Sequence, residues 1–256
     1  MHRFFLPPDQ CRASALTLAG SEAHHALHVL RIKRGERVTV LDGAGSEFLC
    51  EVTRADRREM HLSVVQKMSL PPPTCQITLL QCVPKGKIIE SIIQKATELG
   101  VARIVPILSD RVVSHLDSDD AAHKTEKWQH VAVESIKQCG SMWLPKVETP
   151  VTPERFTTRN EAFELSLVGS LQKDARHPQG VFQEFRARHG RRPITVCVWI
   201  GPEGDFTPAE MDVIKNSGAQ PITLGQLVLR VETAAIYCMS ILRYETQDLA
   251  PARATE

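Results

Sequence analysis

The sequence predicts an α/β protein preceded by a small β-rich domain, and three observations carry that prediction. Near the C-terminus, two apolar runs each end in a glycine-bearing turn that leads into a helix start: ITVCVWIGPEGDFTPAE (Ile194 to Glu210) and PITLGQLVLRVETAA (Pro221 to Ala235). From Cys75 onward, apolar runs of strand length alternate with amphipathic stretches of helix length. Residues 1–70 instead carry short β-rich runs broken by turn residues, and Pro71, Pro72 and Pro73 stop that texture and stiffen the chain.

Within residues 1–70, SEAHHALHVL reads as the one helix. RVTVLD and EFLCEVT flank Gly43 to Ser46 as a hairpin, and EVTRADRREMHLSVV repeats the pattern. LDGAGSEF has the look of the strand and glycine turn of a Rossmann-type methyltransferase. A helix must follow such a turn, and here the chain returns at once to β-rich sequence, so the hairpin is preferred. The segment is expected to close as a small barrel or curled sheet.

Residues 74–248 are expected to form the α/β domain. QITLLQCV is a strand, and KIIESIIQKATELG is a helix with Gly100 as its C-cap. VARIVPILS is the next strand, TEKWQHVAVESIKQCG the next helix and ELSLVGSL a third strand. In the two-turn module, Pro208 to Ser217 reads as a helix stopped by Gly218. ETAAIYCMSILRYETQ is a last helix, apolar over much of its surface, which suits packing on more than one partner. The tail PARATE reads as frayed. Two turns at one end of adjacent parallel strands make a crevice of the kind that binds small ligands in open α/β sheets. No GxxxxGK[ST] and no GxGxxG occurs, so the crevice is neither a P-loop nor an ordinary dinucleotide site.

The 256 residues suffice for one large or two smaller cores, and 42% hydrophobic with 24% charged residues fits a globular protein. No apolar run reaches bilayer length, and MHRFFLPPDQ lacks the apolar core of a secretory leader. Seven scattered cysteines with no CxxC point to reduced thiols and a cytoplasmic location. A net charge of +1 means that any nucleic-acid binding must use a local patch.

Several side chains stand out as candidates. His24 and His28 lie one helical turn apart, but a zinc site needs a further ligand, and no HExxH or cysteine pair is near; no metal is expected. HHALHVLRIKRG ends in Arg31, Lys33, Arg34 and Arg37, either a solvated face or a phosphate-contacting patch. Lys85 and Lys87 precede a helix whose dipole they oppose, as a solvated pair or as a seat for an anion. In IGPEGDF, Gly201 and Gly204 permit close backbone approach and Pro202 stiffens the turn. In LGQLVLRVETAA, Gly225 opens a loop whose backbone can read a purine edge. Arg230 and Glu232 are its charged side chains, as a mutual ion pair or as catalytic groups.

Taken in order, RFF, HHALHVLRIKRGE, QKATELGVARIVPILSDR, KWQHVAVESIKQCG, IGPEGDFTPAE and LGQLVLRVETAA resemble the bacterial 16S rRNA (uridine-N3) methyltransferases (RsmE) of the SPOUT superfamily. The resemblance implies a PUA-like RNA-binding β-barrel and a SPOUT domain with a deep trefoil knot, which pattern alone does not yield. It implies S-adenosyl-L-methionine as cofactor, 16S rRNA or the small ribosomal subunit as partner, and a homodimer through the knot domain; nothing points to DNA or a membrane. The implied cofactor residues are Leu171, Ile200, Gly201, Glu203, Gly204, Leu224, Gly225, Leu227 and Leu229. For a methyl transfer to N3, which must lose its proton, Arg230 is the candidate catalytic cation and Glu232 the candidate base, with Glu203 as the alternative. Arg3, Arg31, Lys33, Arg34 and Lys85 are the candidate RNA contacts. The chain departs from the family pattern at Asp205, usually glycine, and at Leu227 and Ser141, usually arginine. Two other readings remain open: a SPOUT ribose 2′-O-methyltransferase on rRNA or tRNA, and a non-catalytic RNA-binding assembly factor.

Overall fold

A computed structural model describes residues 1–111 and 118–247. The expected domain end at 248 and the tail PARATE lie outside the described residues. The chain divides into two compact units: Met1–Pro72 together with Ala132–Pro145, and Pro73–Val131 together with Lys146 onward.

The first unit is built on a five-stranded sheet of β1 (Arg3–Phe5), β2 (Ala15–Leu18), β3 (Arg37–Leu41), β4 (Ser46–Ala55) and β5 (Met60–Ser69), in the order β1-β3-β4-β5-β2. β1 runs parallel to β3, and the other pairs are antiparallel. Both expected hairpins form. The β3–β4 turn is held by Asp42, whose Oδ1 accepts from the amides of Ala44 and Ser46 at 2.8 Å each. The β4–β5 turn closes with the Asp56 amide donating to the Glu59 carbonyl at 2.9 Å. Phe4, Leu16, Leu18, Val38, Val40, Cys50, Val52, Met60 and Leu62 alternate inward to make the core. The expected helix is present, as α1 (Gly20–His24) running into a π-helical turn over His25–Val29.

The sequence-based boundary at 70 missed part of this unit. Residues 132–145 complete it, and Trp143 is the reason. Its indole N–H donates to the Pro71 carbonyl at 3.1 Å, and its ring lies where a Cβ on Gly45 would be only 2.5 Å away. Gly45, at φ +98, therefore answers both a backbone need and a packing need.

The second unit carries a six-stranded, all-parallel sheet. Its strands are β6 (Gln76–Cys82), β7 (Arg103–Ile107), β8 (Lys146–Val147), β9 (Leu165–Gly169), β10 (Thr195–Ile200) and β11 (Gln220–Ile222), in the order β11-β9-β10-β6-β7-β8. β6 and β10 are buried along nearly their whole length, as parallel strands covered on both faces require. The helices are α2 (Ile88–Glu98), α3 (Ser118–Cys139, whose residues from Ala132 on belong to the first unit), α4 (Pro153–Thr157), α5 (Pro178–His189), α6 (Pro208–Asn216) and α7 (Val231–Thr246). Leu80, Cys82, Cys197 and Trp199 pack with Phe156 of α4 and with Met211 and Ile214 of α6. α2 and α7 pack on each other, and α7 also lies on β6 and β10. α4 and α5 were not foreseen. Both open on a proline and have a capping side chain, Thr152 and His177, but neither has a long apolar stripe.

Candidate active site

Strand order places the two glycine turns next to each other. β10 ends at Ile200 and is flanked by β9, whose end leads to Ser170 and Leu171; β11 pairs with the far side of β9 and leads to Leu224 and Gly225. The three loops leave the same edge of the sheet and enclose a cleft of about 580 Å³. The cleft is lined by Gly169, Ser170 and Leu171, by Ile200 to Glu203 with Asp205, and by Leu224, Gly225, Leu227 to Leu229, Val231 and Ala234.

Eight of the nine residues expected to hold the cofactor therefore come together: Leu171, Ile200, Gly201, Glu203, Leu224, Gly225, Leu227 and Leu229. Gly204 is not among the lining residues; its carbonyl turns away to accept from the Arg111 guanidinium. Gly169 and Ser170 also line the cleft, within the Leu167–Leu171 strand end for which the family resemblance implies an adenosine contact. Gly225 holds φ +114, and the Gly225 amide donates to Thr223 Oγ1 at 3.2 Å. Among the described residues, the amides of Gln226 to Leu229 make no internal hydrogen bond. An apolar cleft fringed by free backbone amides is a surface for a planar, heteroatom-rich ring.

The Gly201–Phe206 turn is held by its own side chains and by neighbouring elements. Asp205 sits in the left-handed region at φ 62, and its own Oδ1 accepts from the Phe206 amide at 2.8 Å. The turn thus keeps its shape with aspartate in the place of the expected glycine. Thr207 and Glu210 form a capping box on α6, and the buried Glu210 carboxylate also accepts from Ser109 Oγ at 3.0 Å and the Asp110 amide at 2.9 Å. Burial first, and then the charges of Glu210, Asp205 and Glu203, push the Cys82 thiol well above its ordinary value.

Arg230 is the N-cap of α7, between the cleft residues Leu229 and Val231, and is exposed. Glu232 is half-buried in the first turn of that helix. Neither side chain forms a hydrogen bond or ion pair among the described residues, so the mutual ion pair is absent; the Arg230 carbonyl accepts from the Ala234 amide at 2.8 Å. Glu203, the alternative base, lines the cleft, whereas Glu232 does not.

Arg31, Lys33 and Arg34 are exposed on the first unit, with Arg31 at φ 55. Arg3 is committed elsewhere: its Nη1 donates to the carbonyls of Lys137 and Gln138, at 3.3 and 3.1 Å, and caps the C-terminus of α3. Its charge serves that helix end, which weakens its case as an RNA contact. Ser141 makes a tight turn, donating to the Trp143 carbonyl at 2.9 Å and accepting from the Trp143 amide at 3.2 Å. Lys85 lies on the second unit, in a separate groove.

Comparison with known proteins supplies the remaining context. Residues 71–243 match the family described as RNA methyltransferase domain, and residues 18–65 match the RNA methyltransferase PUA domain. The ribosomal RNA small subunit methyltransferase E of Aquifex aeolicus (strain VF5) is 30% identical over 243 residues, covering 94% of this chain and 99% of its own. The Bacillus subtilis (strain 168) protein of the same name is 28% identical over 258 residues, covering 97% and 98%. Among solved structures, Lpg2936 from Legionella pneumophila, in complex with bound cofactor SAM, superimposes with a TM-score of 0.85 at 28% identity, covering 96% of this chain and 98% of that one. The ribosomal RNA small subunit methyltransferase E of Neisseria gonorrhoeae, bound to S-adenosyl methionine, gives 0.82 at 26% identity, covering 95% and 97%.

Proposed function

The chain belongs to the RNA methyltransferase family, alongside the ribosomal RNA small subunit methyltransferase E proteins, and from that premise we propose that it moves a methyl group from S-adenosyl-L-methionine to N3 of a uridine in 16S rRNA. The observation that carries this reading is the cleft itself. Three loops converge on it, and the relatives' structures that superimpose on this chain hold that cofactor.

The residues present fit the group. Leu171, Ile200, Leu224 and Leu229 offer apolar walls to a purine, and the free amides after Gly225 face its heteroatoms. Glu203 and Asp205 bring negative charge to a ligand that bears a sulfonium and an ammonium. When bound, the cofactor supplies an electrophilic methyl carbon on sulfur.

The protein's task is alignment and proton handling. Uracil N3 must lie in line with the methyl carbon and lose its proton before or during attack. Arg230, unpaired at the rim, is the cation that stabilises the uracil anion. Glu232 or Glu203 accepts the proton, and Glu203 has the advantage of lining the cleft. N3 takes part in base pairing, so the target must be unpaired or flipped.

The domain roles follow the same reading. Residues 1–70, with the 132–145 segment that completes their unit, act as the RNA-binding PUA-like part and the rest of residues 74–248 as the SPOUT part, with the loops after β9, β10 and β11 threaded in a trefoil knot. The exposed Tyr237 and Tyr244 on α7, with Leu227 and Val228 beside the cleft, suit a homodimer interface. Among the described residues no helix is long and apolar enough to cross a membrane, and all seven cysteines are free, which suits a cytoplasmic location.

The deciding experiment is nucleoside mass spectrometry of small ribosomal subunits from cells lacking this protein, after incubation with it and S-adenosyl-L-methionine. New 3-methyluridine is the expected product. A 2′-O-methylated nucleoside would move the protein to the ribose branch, and no product on subunits or free RNA would favour a non-catalytic assembly factor.

A further inference from the structure

A second concave surface lies on the second unit, apart from the cofactor cleft. It is a groove of about 1110 Å³, walled by Val83 to Lys87 with Ile89 and Glu90 on one side, and by Lys124, Lys127 and Trp128 of α3 on the other. Four lysines from two elements face one space. Lys127 pairs with Glu90 at 2.6 Å, which neutralises one of them. Lys85 and Lys87 are exposed and Lys124 is half-buried, and the ammonium group of none of the three forms a hydrogen bond or ion pair among the described residues, although the Lys87 carbonyl accepts from the Glu90 amide at 3.1 Å.

Three uncompensated cations in one groove repel each other, and Lys85 and Lys87 also oppose the dipole of α2. An anion entering the groove would relieve that repulsion.

The groove's place in the sheet says which anion. β6 and β10 are parallel neighbours in which Gln81 is level with Ile200. The Val83–Lys87 loop leaves β6 at the same edge where Gly201 leaves β10, one strand spacing away, about 4.8 Å. The lysine groove and the methyl-transfer cleft therefore lie on loops that leave the same edge of the sheet.

We infer that this groove seats the phosphate backbone of the substrate RNA strand beside its target nucleotide, through Lys85, Lys87 and Lys124. The inference rests on the methyltransferase reading and adds to it a binding surface outside the cleft. Flexible ammonium groups without a rigid hydrogen-bonding fork suit phosphates, which set register and affinity, rather than base edges. Base identity is left to the cleft.

The test uses the full-length protein and the triple variant Lys85→Gln, Lys87→Gln, Lys124→Gln, with fluorescein-labelled poly(U) as probe. Loss of three phosphate contacts should weaken binding by about tenfold or more near physiological salt, and flatten the slope of log affinity against log salt by about 2. Affinity for S-adenosyl-L-methionine, measured on the same samples, should stay at the parent value, which reports an intact fold and cleft. Equal RNA affinity and equal slope in parent and variant, including no binding by either, overturns the inference. A loss of cofactor affinity along with RNA affinity in each of the three single variants also overturns it, because the lysines would then be serving the fold. Transfer to small subunits separates the two readings: a parent that makes no 3-methyluridine counts against the proposed activity, whereas a variant that transfers as well as the parent counts against the groove alone.

Discussion

Glu210 and Ser109 stand 101 positions apart in sequence, yet the Glu210 carboxylate, 2% exposed, accepts the Ser109 hydroxyl at 3.0 Å. The same carboxylate takes the amides of Asp110 at 2.9 Å and Thr207 at 2.8 Å. One side chain thus ties the end of β7 to the start of α6, and the Gly201–Phe206 turn lies immediately before that start. Glu210→Ala should cost about 3 kcal/mol, since three donors lose a charged acceptor and α6 loses its box. Urea unfolding of the variant measures this, and an unchanged midpoint would remove Glu210 from the role.

Arg111 holds the same turn from its other side. Its guanidinium donates to the carbonyls of Gly204 and Asp205 from an exposed position. Arg111→Ala should leave the fold intact and weaken cofactor binding by about fivefold, the equivalent of one net hydrogen bond. The effect belongs in KM for S-adenosyl-L-methionine rather than in kcat. A fall in kcat at saturating cofactor would mean that Arg111 acts on the reaction itself.

Asp205 allows a sharper comparison. Asp205→Gly also loses the bond to the Phe206 amide but relieves the left-handed strain, and the two effects should nearly cancel. Asp205→Ala loses the bond to the Phe206 amide and keeps a Cβ at φ 62, so it should lose about 1–2 kcal/mol. Thermal melts of the two variants should differ in that order, and identical melting temperatures would show that the turn is held by Arg111 and Glu210 alone.

Arg230→Ala should abolish methyl transfer while sparing cofactor binding, because its side chain is not committed to the fold. Full activity in that variant excludes it from the mechanism. Glu203→Gln and Glu232→Gln, assayed at saturating cofactor, separate the two candidate bases: the true base should lose about a hundredfold or more in rate.

Glu164 supplies a pH test independent of function. The Arg191 guanidinium, and then the Ile194 amide, hold its carboxyl at about 2, below the ordinary value of 4.5. A depressed carboxylate contributes stability above its unfolded value and loses that contribution as pH falls through the folded one. Stability should therefore drop between pH 4.5 and about 2 in the parent, and drop less in Glu164→Gln. Parallel acid-unfolding curves for the two proteins would contradict this.

Much of the fold was legible because its strongest signals are local. Both hairpins of the first unit announce themselves by turn residues between β-rich runs. Helices α2, α6 and α7 follow from periodicity, with a glycine stop after α2 and α6. The cleft was legible for a related reason: glycine turns after apolar runs mark strand ends, and parallel strands bring such ends to one edge. The rest depends on distant partners. Arg3 looks like a free surface cation in sequence, and only the tertiary structure shows it on the carbonyls of Lys137 and Gln138. Gly204 shares its turn with cleft residues, but the cation that turns its carbonyl outward comes from Arg111, at the end of another strand. α4 and α5 bury Phe156, Val181, Phe182 and Phe185 without a continuous apolar stripe, so periodicity passed over them.

The first unit is discontinuous in sequence, and that fixes an order of events at the ribosome. The slot beside Gly45 is filled by Trp143, and the helix end capped by Arg3 lies at residues 137 and 138. A nascent chain that has released only its first 72 residues has all five strands of this unit, but neither the indole that closes the slot nor the carbonyls that engage Arg3. The N-terminal part of this protein therefore waits, incomplete, until Pro145 has left the exit tunnel, by which time the β6, α2 and β7 segments have already emerged.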